Sequence, residues 1–225
     1  MKTSSGQKTN RAFNLIEVLV VVVVLLLLAL FLFPSPPGDA KRKAIAVTCL
    51  FDLKQDSLAL LTWGEEHHNA LPWNVPSKNG GTMDLAATDV SSQFRAVSNL
   101  VAQPRMFYCS SDRSRRPAEN FKQFADTNVS YFINLDAGGM KTSNAPRSVL
   151  MGDRSLEVKG RPILSGRVMM IDVGTDLAWG RGVHNVNGKP AGNIAFMDGH
   201  AERVVGNRLK DVICSQGGTN LFEFP

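Results

Sequence analysis

Arg11-Ala12-Phe13-Asn14-Leu15-Ile16-Glu17, running straight on into VLVVVVVLLLLALFLF at residues 18–33, decides how the rest of this 225-residue chain is read. The apolar run Val18–Phe33 is 16 residues long, and a single carboxylate, Glu17, stands at its leading edge. A charge held at membrane depth costs on the order of a few kcal/mol, so its presence there asks for a reason. Counted from Phe13 to Phe33 the stretch has 21 residues. That is roughly 32 Å as a helix, which predicts a membrane-spanning segment. An ordinary secretory signal has a shorter apolar region followed at once by small residues. Here the run ends in Phe33-Pro34-Ser35-Pro36-Pro37-Gly38-Asp39-Ala40, where only Ala40 would serve. Lys41, Arg42 and Lys43 behind the run balance Lys2, Lys8 and Arg11 ahead of it, so loop charge assigns no orientation.

Beyond the apolar run lie about 190 residues, enough for one domain with its own core. The net charge is +5, but three of the cations precede the apolar run. No long basic run or aromatic-basic interleaving remains, so no nucleic-acid partner is expected. Residues 40–63 return to a helical period: Ile45, Cys49, Leu53, Leu60 and Trp63 fall near one face, with Lys41, Lys43, Lys54, Gln55 and Asp56 mostly off it. Pro34, Pro36 and Pro37 remove backbone donors and break any helix arriving from the apolar run. Residues 64–103 are turn-rich, with a short helix predicted at Ser91–Ala102. Short β-like runs follow at Arg105–Cys109, Val129–Asn134, Ser148–Gly152, Arg167–Val173, Asn193–Met197 and Ala201–Val205. Asp198-Gly199 between the last two is a hairpin signal. Strands following one long helix predict an α+β fold, with an antiparallel sheet laid against that helix.

The residue types that could carry chemistry are few. His184, Asp198 and His200, with Asp153, are of kinds that suit zinc. There is no HExxH, no paired ligand spacing and no glycine-flanked nucleophile, so no enzymatic activity is expected. Asp198 is accounted for as the first residue of a type I′ turn, and His184 as a loop histidine bonding backbone. A calcium ion held by Asp side chains and carbonyls is chemically feasible, but no residues single themselves out as its ligands. Three cysteines, Cys49, Cys109 and Cys214, allow one disulfide with a leftover thiol, or three buried apolar side chains. Spacing does not choose among them.

The Ala12/Phe13 junction, with Glu17 as the fifth residue after it, resembles the processing segment of type IV pilins and pseudopilins. The family commonly has Gly before the cut where this chain has Ala12. The resemblance implies cleavage between Ala12 and Phe13 by a prepilin peptidase, N-methylation of Phe13, and pairing of Glu17 with the new amine of a neighbouring subunit. Cys49-Leu50-Phe51-Asp52-Leu53-Lys54-Gln55 is similar to a Cys-x-x-Asn-Leu-Lys-Gln segment in a subgroup with large C-terminal heads. Phe107-Tyr108-Cys109-Ser110-Ser111-Asp112 is similar to that subgroup's Cys-Pro-Ser-Asp element, and Ser130–Asn134 and Leu150–Asp153 also match it loosely. The subgroup's C-terminal signature is a His, nine residues, then Asp-Gly; here thirteen residues separate His184 from Asp198. The resemblance implies a Cys49–Cys109 disulfide and a pilin-like α+β fold. It divides the chain into a leader (1–12), a transmembrane and assembly helix (13–33), a proline-rich break (34–40) and a periplasmic head (41–225). The implied function is that of a structural subunit in an inner-membrane-anchored filament of a type II secretion-like or pilus system. Its partners would be the peptidase, other pilin-like subunits and the inner membrane, and it would need no cofactor. The competing expectation is a membrane-tethered extracytoplasmic binding module that does not polymerise.

Overall fold

The computed structural model describes residues 14–32, 38–85, 89–138, 147–180, 183–214 and 220–225; Ala12 and Phe13 lie outside them. In chain order the elements are α1 (Leu15–Leu32), α2 (Gly38–Glu66), α3 (Val90–Arg95), β1 (Tyr131–Asn134), β2 (Val149–Asp153), β3 (Leu156–Val158) and β4 (Arg161–Pro162). They continue as β5 (Arg167–Ile171), β6 (Leu177–Trp179), β7 (His184–Val186), β8 (Lys189–Phe196), β9 (Ala201–Val205), α4 (Arg208–Cys214) and β10 (Asn220–Phe224). Residues divide into two compact units, Met1–Lys41 and Arg42–Pro225.

In the first unit, α1 opens on a capping device. The Asn14 backbone N–H donates to Glu17 Oε2 at 3.4 Å, and the Glu17 N–H donates to Asn14 O at 2.9 Å. This is the reciprocal half of a capping box, in which an acid three residues in satisfies an orphan amide. α1 is 18 residues long, about 27 Å at 1.5 Å per residue, against a hydrocarbon core of about 30 Å. α2 has 29 residues but carries Lys41, Arg42, Lys43, Asp52, Lys54 and Asp56. Among the described residues no helix is long and apolar enough to cross a membrane. The expectation of a transmembrane helix leading a pilin-like fold is therefore corrected: the α+β chain has antiparallel sheets, but α1 falls short of a spanning segment and α2 is too charged for one.

The second unit is built on one antiparallel sheet in the order β5-β10-β1-β2-β8-β7, with β9 also paired to β8. A smaller sheet has the order β4-β3-β6. β1 shows how the middle of the large sheet is buried on both faces. Tyr131 and Ile133 enter one apolar cluster with Cys49, Leu53 and Leu60 of α2, whereas Phe132 enters a second with Phe222, Phe224, Leu209 and Trp179. Alternate side chains of a strand point to opposite faces, so both faces are covered: one by α2, the other by the small sheet and α4. That second cover was not anticipated. Nor is Arg105–Cys109 a strand; Pro104–Phe107 is a 3-10 turn, with Pro104 at its start where a missing N–H does no harm. The helix expected over Ser91–Ala102 ends at Arg95.

α2 buries Ala46, Cys49, Leu53, Leu60 and Trp63 and exposes Val47 and Phe51. Asp56, expected off this stripe, is instead fully buried, three residues beyond Leu53 and four before Leu60 on the same face.

Candidate functional site

The buried face of α2 and three separate stretches of the sheet unit meet around two sulfurs. Cys49 sits mid-α2. Cys109 is delivered by a tight turn in which the Asp112 N–H donates to Cys109 O at 2.8 Å. Asp112 Oδ1 in turn accepts from the Ser114 N–H and hydroxyl at 3.1 and 2.6 Å. The Ser130 N–H donates to Phe107 O at 2.9 Å and ties this loop to the start of β1. The two Sγ atoms are 2.6 Å apart and both cysteines are free, fully buried thiols.

His184 completes the group. It opens β7, opposite Ala191 of β8. The two strands are joined by Asn187-Gly188, with φ of 51° and 82°, the two positive angles that a type I′ turn requires. His184 is thus a buried strand residue, not a loop histidine. The Asn-Gly signal was present in the sequence. Its Nε2 lies 3.4 Å from Cys109 Sγ, 3.1 Å from Asn193 Nδ2 and 3.5 Å from Asp153 Oδ2.

The surrounding bonds fix which atoms offer lone pairs. Arg203 Nε donates to Asn193 Oδ1 at 3.2 Å, so the other end of that amide is its NH2 group and donates to His184 Nε2. The Asn193 N–H donates to Asp153 Oδ2 at 2.6 Å, while Asp153 Oδ1 is buried without a hydrogen-bond partner. Burial pushes the Asp153 carboxyl up to about 7, against the pull of His184 and of that backbone bond. The hydrogen bond from Cys109 brings the Cys49 thiol down to about 4 despite its burial, with His184 adding to the effect. The same bond and burial push Cys109 up. Ser130 Oγ, Tyr131 OH and both oxygens of Asp56 are also buried without partners.

Cys49, Cys109 and His184 place their ligand atoms all within 4.8 Å of one another, the one such group of three or more among the described residues. The trio His184, Asp198 and His200 is not assembled. Asp198 and His200 lie beyond the far end of β8 from His184, six or more residues along a strand that rises about 3.3 Å per residue. There Asp198 Oδ1 accepts from the His200 N–H at 3.0 Å and pairs with its Nδ1 at 2.6 Å. The turn itself differs from the expected type I′. Gly199, at φ 79°, supplies the positive angle and Asp198 does not. Phe196 N donates to His200 O at 3.0 Å, which makes Met197-Asp198-Gly199 a three-residue loop. Cys214 belongs elsewhere, its Sγ donating to Asp172 O at 3.3 Å.

No known protein family, curated protein or solved structure matches the chain.

Proposed function

We propose that this chain is a structural subunit of the pseudopilin kind, cut between Ala12 and Phe13, methylated at Phe13, and polymerised through α1 into an extracytoplasmic filament based at the inner membrane. The observation that carries this reading is the surface of α1. Leu15 is 82% exposed, and each residue from Val18 to Leu28 keeps between 47% and 60% of its surface. A helix apolar on every side must be covered. A bundle of the same helix from other copies covers it at about 25 cal/mol per Å² of apolar area removed from water. The peptidase and further pilin-like subunits are then its partners, and turnover is not required of it.

Glu17 gives the reading its test, because it also does something local. Its bond to the Asn14 N–H caps α1 within the single chain. That observation favours a second reading, a tethered binding module in which Glu17 is only a cap. Glutamine also closes a capping box but carries no charge. In the filament reading Glu17→Gln abolishes assembly as completely as Glu17→Ala while α1 keeps its helicity by circular dichroism. Full assembly of the Gln variant would leave the tethered module standing instead. Mass spectrometry of the mature N-terminus is the companion measurement, with methylated Phe13 expected and an intact Met1 counting against processing.

A further inference from the structure

We propose that Cys49, Cys109 and His184 bind one zinc-class divalent cation inside the head, beside Asp153, a site independent of filament assembly. The Cys109–His184 spacing is that of neighbouring ligands around a tetrahedral metal. With Zn–S of about 2.3 Å, Zn–N of about 2.05 Å and Zn–O of about 2.0 Å, neighbouring S and N ligands lie about 3.6 Å apart and N and O ligands about 3.3 Å. Cys109 Sγ to His184 Nε2 is 3.4 Å, and His184 Nε2 to Asp153 Oδ2 is 3.5 Å. The two sulfurs, at 2.6 Å, must open to about 3.8 Å, a side-chain adjustment at Cys109.

The residue types point the same way. Two buried thiols and an imidazole converge beside a carboxyl whose Oδ1 is buried without a hydrogen-bond partner. Arg203 is close, but its Nε is used on Asn193 Oδ1 and its Nη2 on Ala46 O. Asn193, gripped by Arg203, sits on the same His184 Nε2 that a metal takes, so loading displaces that hydrogen bond. Two sulfurs and a nitrogen select a borderline-soft ion over calcium, which takes oxygen ligands. Loading releases the thiol protons to solvent and leaves every sulfur at its starting oxidation level.

Cobalt(II) tests this on the full-length protein, reduced and stripped of metal by chelator. One equivalent should produce thiolate-to-cobalt charge transfer in the near ultraviolet with strong visible bands of tetrahedral cobalt, both displaced by one equivalent of zinc. Cys109→Ser and His184→Ala should each remove the bands, and Cys214→Ser should change nothing. Because substitutions in a buried site can cost the fold, the wild-type titration decides. A reduced, folded wild-type chain that takes up no cobalt overturns the proposal, as does binding that survives His184→Ala. The outcome is separate from that of the Glu17 variants, which report on α1 alone.

Discussion

At the scale of single residues, a shared proton controls acid–base behaviour at the surface of the head. Burial, then a bond to Asp89, raises the Asp126 carboxyl from 3.8 to about 7. Burial also pushes Asp89 upward, but its bonds to Asp126 and Ser91 outweigh this and leave it lowered. Between pH of about 4 and 7 the folded chain therefore keeps a proton on Asp126 that the unfolded chain has released. Stability from that proton is complete below about 4 and is lost as pH rises through 7. The Asp89 contribution has the opposite sign and is lost only in stronger acid. We expect the urea midpoint to fall from pH 4 to 7, and Asp126→Asn to flatten that fall; an unchanged slope in the variant would assign the dependence elsewhere. Little of this was legible beforehand, because a carboxyl's environment depends on contacts 35 residues away, as between Ser91 N and Asp126 Oδ1. Asp56 makes the same point: helical spacing alone places it on the buried stripe, yet its charge led to the opposite assignment.

At the scale of elements, close packing across the sheet sets the cost of change. Trp179 of β6 lies directly over Gly192 of β8, leaving no room for a Cβ. Gly192→Ala should destabilise by about 1–3 kcal/mol through overpacking. Leu53→Ala, in the fully buried stripe of α2, should cost about 2–5 kcal/mol by leaving a cavity. Chemical denaturation of both variants beside wild type checks the ordering. The strands β1, β2, β5 and β9 were readable to within a few residues, since apolar runs bounded by turn residues carry a local signal. The run Arg105–Cys109 had the same apolar look, yet Pro104 and the tie of Phe107 O to the Ser130 N–H hold it as a turn. The meeting of Cys49 with Cys109 was implied only through the family resemblance. His184 reaches them from the β7–β8 hairpin, whose Asn187-Gly188 turn is a local signal, but no local pattern says that this hairpin meets Cys109.

At the scale of the whole molecule, the buried apolar side chains among the described residues all come from Ala46 onward. A fragment Arg42–Pro225 should therefore unfold at the same temperature as the full chain, within about 2–4 °C, the shift that about 1 kcal/mol produces in a domain of this size. It should also stay dispersed without detergent, where the full chain associates through α1; calorimetry and sedimentation check both. The order of strands has a further consequence, for truncation. β10 lies between β1 and β5, hydrogen-bonded to both, although its residues 220–224 follow those of every other described strand. Only residues 220–224 hold β5 in the large sheet, so a chain cut before residue 220 would leave one edge of β1 bare and β5 without its partner strand, both ready templates for pairing between copies.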